Sequence, residues 1–251
     1  MEKRTSKKIK ILIAASIIFI ISGLGFILYQ YFINVFVKIE QEAILEKWDK
    51  NEDILSDKIS ANTAITNIDG DSTQNQDTDT EENSTAATSG DKEGDTDDKF
   101  YNVSEKLTAG DIFPLKLSVP KIELEWIANE GSDSKTLKKG PGHIIETPLP
   151  GQGGRCTISG HRTTYGAPFN RIDELEKGDL IFLETHSGYL FTYVVTNTEV
   201  ILPTEVYILE GNSKKELLLT TCEPEYSAIN RLVVISELIN IYTVSTDILK
   251  E

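Results

Sequence analysis

The stretch Tyr189-Leu190-Phe191-Thr192-Tyr193-Val194-Val195-Thr196-Asn197 decides the fold class. Thr192, Val194 and Thr196 alternate with Tyr193, Val195 and Asn197, and a period of two puts one set on each face of an extended strand. Its β-branched and aromatic residues suit a pleated, half-buried surface. Outward from it, similar short runs recur: Leu115–Val119, Arg155–Ser159, Leu180–Glu184, Leu217–Thr221 and Arg231–Glu237, separated by Gly- and Pro-containing breaks. Asn170–Leu175 has room for one helical turn, which Lys177-Gly178-Asp179 ends. Many short strands with little helix predict an all-β domain over residues 109–240, a barrel or a sandwich. Residues 241–251 are expected to be a tail.

The flanking sequence is of another kind. Of 251 residues, 40 are acidic and 25 basic, a formal charge of −15 that argues against a nucleic-acid partner. Ile11 to Val37 contains no charge, and the 19 positions Ile11–Tyr29 carry nothing more polar than Ser16 and Ser22. A helix of roughly 20 apolar residues crosses a bilayer core. Lys3, Arg4, Lys7, Lys8 and Lys10 precede the run, so the positive-inside rule keeps residues 1–10 in the cytoplasm. The run exceeds the core of a cleaved signal peptide, and no small-x-small site closes it. The expectation is an uncleaved single-pass anchor over 11–37 in the cell membrane, with the remainder extracellular.

Residues 38–108 are expected to be an acidic, flexible linker. Ile44, Leu45, Trp48, Leu55 and Ile59 have spacings that would extend the helix through 38–59. From about Ala61 to Lys99, however, the chain is Asp, Thr, Ser, Asn, Gly and Glu with almost no aliphatics. Such a segment cannot bury enough apolar surface to offset its ordering entropy.

The domain holds both cysteines and all three histidines. Two cysteines make neither a disulfide framework nor a four-ligand zinc site, and no cofactor or metal is implied. Cys222 ends the run Leu217–Thr221 and precedes Glu223-Pro224, so its thiol is placed where a strand opens into a loop. His161 follows the strand Cys156–Gly160, and Arg231 opens the last strand. A Cys nucleophile needs a group to take its proton and a donor to hold an oxyanion, and these residue types supply both. Cys156 shares a strand face with Ile158 and Gly160, opposite His161, and is expected in the core. His143, in Gly140-Pro141-Gly142-His143, would either line a substrate entrance or stabilise a turn; His186 lies in a hairpin-like turn facing solvent. Tyr165, Pro168 and Phe169 would either wall a substrate site or plug the barrel end. Glu223, Glu225, Asp173 and Glu174 are read as surface charge, because no loop supplies the oxygens that calcium needs.

Taken together, Thr221-Cys222 with Arg231-Leu232-Val233-Val234, Ser159-Gly160-His161-Arg162, and Gly140-Pro141-Gly142-His143 leading to Leu149-Pro150-Gly151 resemble a sortase. The segment Gly160-His161-Arg162-Thr163-Thr164-Tyr165-Gly166-Ala167-Pro168-Phe169 is similar to class E sortases, with class D next. The resemblance implies an eight-stranded sortase β-barrel with short helices and a membrane-anchored cysteine transpeptidase. In the family's terms Cys222 attacks the Thr–Gly carbonyl of an LPXTG- or LAXTG-like sorting signal, His161 transfers protons, and Arg231 stabilises the oxyanion. Thr221 would help shape the oxyanion hole, and His143, Tyr165 and Phe169 are the further candidates for substrate binding. The implied partners are secreted proteins bearing a C-terminal sorting signal and a peptidoglycan precursor amine. The lack of an Asp-Pro-aromatic lid in Lys106–Pro114 favours wall anchoring over pilus assembly. A hydrolytic or catalytically silent sortase-fold binding module is the alternative.

Overall fold

A computed structural model describes residues 2–66, 106–211 and 213–243. Eight strands form a closed barrel: β1 (Leu115–Val119), β2 (Leu124–Glu130), β3 (Gly142–His143), β4 (Gly154–Ser159), β5 (Leu180–Thr185), β6 (Tyr189–Ile201), β7 (Lys215–Glu223) and β8 (Asn230–Thr243). Around the barrel the order is β1-β2-β3-β4-β7-β8-β6-β5. Only β2–β3 and β4–β7 pair in parallel. Short helical turns at Ala109–Ile112, Ser134–Leu137 and Ile172–Glu174 cap or connect strands.

Alternation fills the interior. Leu115, Leu117 and Val119 of β1, Leu183 of β5, Phe191 and Tyr193 of β6, and Leu217 and Leu219 of β7 are buried in one continuous cluster. The Tyr193 hydroxyl accepts from the Gly151 amide at 2.8 Å, which gives the buried phenol its polar partner. Cys156 belongs to this cluster, as its strand parity requires. A smaller cluster, Ile201, Ile208, Leu218, Val233 and Ile235, lies on the opposite face of the β6–β8–β7 wall.

The six expected strands are present. β2 and β3 were not anticipated, and β8 runs on to Thr243, into the first residues of the stretch expected as a tail. Ile241 is buried and pairs with Phe191, which explains the extension. Residues 244–251 lie outside the described residues.

The linker expectation needs correction over its first part. A single helix, α1 (Glu2–Thr66), runs through the expected anchor and on past residue 38. Its apolar stretch is long enough to cross a membrane, and none of that window is buried against the rest of the protein. From Ile33 onward one face of α1 lies against the barrel: Val37 and Trp48 are buried, and Gln41 is 4% exposed. Packing of that face is what keeps 38–50 from acting as a tether. The remainder of the expected linker, 67–105, lies outside the described residues.

Candidate active site

Parallel pairing of β4 with β7 ends at Ser159↔Thr220. His161 and Cys222 each lie two residues beyond that pair, on neighbouring strands and at the same end of the barrel. Two bonds hold the strand ends together: the Gly160 amide donates to the Thr220 carbonyl at 3.0 Å, and the Thr221 hydroxyl donates to the Gly160 carbonyl at 2.7 Å. Gly160 is required there, because a Cβ would stand 2.6 Å from the Phe169 ring.

On the other side, antiparallel pairing of β7 with β8 sets Cys222 directly opposite Arg231. Parity then assigns the faces. Leu217, Leu219 and Thr221 turn into the barrel, whereas Leu218, Thr220 and Cys222 turn outward with Arg231, Val233 and Ile235. Cys222 is a half-buried free thiol above the smaller apolar cluster. One terminal nitrogen of Arg231 donates to the Asn230 and Ala228 carbonyls at 2.9 and 3.2 Å, which fixes the root of the guanidinium.

His161 is half-buried, and the Tyr165 ring lies 5.0 Å from its imidazole, centroid to centroid. Lys138 Nζ sits 5.6 Å from the centre of that Tyr165 ring. Desolvation, with a smaller contribution from the Lys138 charge, holds the His161 pKa below the usual histidine value. The imidazole is therefore neutral near pH 7 and able to accept a proton.

Not every candidate belongs to this open site. His143 is 1% exposed; its Nε2 lies 3.1 Å from the Pro148 carbonyl and 3.2 Å from the Thr147 hydroxyl, and its ring stacks on Phe113. It holds the turn after β3 and does not line an entrance. Phe169 is fully buried, so the choice between wall and plug resolves to plug. Thr221 is 2% exposed and its hydroxyl is committed to Gly160, which makes it a clip between strands and leaves no hydroxyl for an oxyanion hole. Tyr165 alone of these four remains half-exposed beside His161.

Sequence reasoning missed Arg162. Its guanidinium is buried, pairs with the Glu223 carboxylate through Nη1, and lies 3.1 Å from Asp173 through Nη2. The pair ties the residue after His161 to the residue after Cys222. Glu223 and Asp173 are thus ion-pair partners, not free surface charge. The available signal was position: an Arg and a Glu, each immediately following a candidate catalytic residue.

Residues 117–239 match the sortase domain family. The chain is 39% identical over 109 residues to Sortase D of Bacillus subtilis, covering 43% of this chain and 53% of that protein. Residues 117–239 are a sortase domain. It is also 33% identical over 133 residues to Sortase SrtE1 of Streptomyces coelicolor, covering 47% of this chain and 38% of the relative. Among solved structures, Sortase C-3 from Streptococcus pneumoniae is similar with a TM-score of 0.50 and 33% identity, covering 53% of this chain and 65% of that one. This chain thus spans about half or less of the length of those two curated relatives. Sortases are cysteine transpeptidases, and the barrel described above is the sortase fold.

Proposed function

We propose that this protein is a single-pass, membrane-anchored sortase that cleaves an LPXTG- or LAXTG-like signal between Thr and Gly and joins the new carboxyl end to a cell-wall amine. The observation that carries the reading is the register: Cys222 stands opposite Arg231 on β8, and His161 leaves the adjoining strand at the same height. In this mechanism His161, neutral in its partly desolvated setting, takes the Cys222 proton as the thiolate attacks the Thr carbonyl carbon. Arg231 donates to the oxyanion of the tetrahedral intermediate, where a fixed planar cation suits the developing charge. Collapse breaks the Thr–Gly bond, His161 protonates the departing glycine amine, and the peptide remains as a thioester on Cys222. An amine then attacks that thioester, giving its proton to His161 and releasing the thiolate.

The half-exposed Tyr165 would receive an apolar residue of the signal; Leu218, Val233, Ile235 and Ile201 are buried with Ile208 and support the strand ends from beneath. β6 continues to Ile201, and the loop from Leu202 to β7 would read the signal's second position. The exposed apolar surface of the first part of α1 supports the anchor. The client proteins are secreted chains carrying the signal, and the acceptor is a peptidoglycan precursor amine. The test is cleavage of a panel of LPXTG- and LAXTG-type peptides by the full chain in detergent, with and without diaminopimelate- or glycine-type amines. Amine-dependent formation of the ligated peptide is expected. Cleavage that no amine diverts would make the protein a hydrolase, and inertness toward every peptide would favour the silent binding module.

A further inference from the structure

Asn34, Gln41 and Trp48 are spaced by seven residues, two turns of helix, and therefore share one face of α1. All three side chains bond to the barrel. Asn34 donates through Nδ2 to the Thr163 carbonyl at 3.3 Å and accepts the Gly166 amide on Oδ1 at 3.2 Å. Gln41 donates to the Lys139 carbonyl at 2.6 Å and accepts the Ile127 amide at 3.0 Å. Trp48 Nε1 donates to the Glu184 carboxylate, and the indole lies 4.8 Å from the His186 ring. Val37, between them, is part of the barrel's own core cluster.

The barrel side is shaped to receive the helix. A Cβ on Gly140 would come within 3.0 Å of Gln41 Nε2, and one on Gly166 within 2.5 Å of the Trp126 ring and 3.4 Å of Lys38. Two of the segments that α1 grips lie beside His161. Asn34 holds both ends of Thr163–Gly166, whose Tyr165 ring lies against the imidazole. Gln41 holds Lys139, next to Lys138, whose ammonium stands over that same Tyr165 ring. Moreover, Tyr165, Gly166 and Ala167 have φ of +52°, +79° and +52°, three successive residues in the left-handed region. Non-glycine residues persist there only when their surroundings over-determine the conformation. Asn34 supplies such a restraint from outside the barrel.

We propose that the Asn34–Trp48 face of α1 is a docked strap, and that Asn34 and Gln41 are positioning residues that set His161 by clamping the 163–166 loop and the 138–139 turn. The anchor helix is then part of the catalytic unit. The effect on turnover rests on the transpeptidase reading, whereas docking itself does not, so the test has two readouts. Full-length protein in detergent micelles is prepared as wild type, Asn34→Leu, Gln41→Leu and Asn34→Gln, and amide hydrogen exchange is followed over 124–143 and 160–170. Peptide turnover is measured on the same samples.

Asn34→Leu is expected to lose at least tenfold protection at the Gly166 amide, and Gln41→Leu at Ile127, with the amides of β7 and β8 unchanged. Each is expected to lower kcat about five- to twentyfold; KM should stay within twofold in Gln41→Leu and rise in Asn34→Leu, which also frees the loop carrying Tyr165; Asn34→Gln is expected to regain part of the loss. Unchanged exchange at Gly166 and Ile127 in the Leu variants would overturn the strap. Lost protection with wild-type kcat, or with the loss confined to KM, would overturn the positioning role. If wild type turns over no peptide, the exchange result alone decides docking, and the failure belongs to the transpeptidase reading.

Discussion

The two faces of the β4–β7 pair carry the same chemical group to opposite ends. Cys156 points into the barrel, 1% exposed among aliphatic side chains, and burial alone drives its thiol pKa far above the ordinary value. Cys222 points outward, half-exposed, opposite an arginine and level with a histidine. The histidines divide in the same way. His143 is packed against Phe113 and bonded within its own turn, whereas His161 meets solvent beside Tyr165. Strand parity, more than residue type, separates the inert thiol and imidazole from the pair available for chemistry. The thiolate form is the nucleophile, so a thiol kept neutral by burial does not compete.

The largest effect should come from exchanging the roles of the two cysteines. Cys222→Ala is expected to abolish turnover, at least about a thousandfold, with stability within about 1 kcal/mol of wild type. Cys156→Ala is expected to keep turnover and to cost about 1 kcal/mol in denaturant unfolding, through lost packing. Loss of activity in the second variant at retained stability would break the comparison.

Next comes the cation opposite Cys222. Arg231→Ala should lower kcat about a hundredfold or more, the scale seen when an oxyanion donor is removed, and Arg231→Lys should recover only part. An intermediate effect is expected at the ion pair behind the site. Glu223→Gln leaves Arg162 buried with only the more exposed Asp173 as a charged partner, and should cost about 1–3 kcal/mol by thermal or chemical unfolding.

The smallest effect concerns pH. Lys138 contributes to the lowered His161 pKa, so Lys138→Gln should raise it and move the acid limb of kcat/KM to higher pH. A lowered pKa keeps the neutral base available as pH falls, and removing the positive charge shortens that range. Burial, the larger cause, is untouched, and the limb should stay below that of an ordinary histidine. A shift toward lower pH in this variant would contradict the assignment of His161 as the base.

Legibility in the sequence followed the number of environments each segment meets. β6 and β7 each divide cleanly between two faces, and their alternation was readable. β2 was not, because Ile127 is buried beneath α1 on the face where a lone barrel would show solvent, and its amide is bonded by Gln41. β3 has two residues, too few to show a period. Cys222, His161 and Arg231 stood out because each sits at a strand end. Arg162 did not, since its role depends on Glu223 and Asp173 arriving from distant positions. The apolar run of α1 was readable as a helix long enough to cross a membrane, but the docking of Asn34 and Gln41 depends on backbone groups of the folded barrel that leave no trace in α1 itself.

The central claim is that the outward-facing thiol alone forms the acyl intermediate. Intact-protein mass spectrometry of the full chain, incubated with a sorting-signal peptide and no amine, followed by peptide mapping, tests it most directly. The account predicts one acyl group per chain, located on Cys222, absent from Cys222→Ala and discharged when an amine is added. An adduct on Cys156, or turnover that persists in Cys222→Ala, would contradict it.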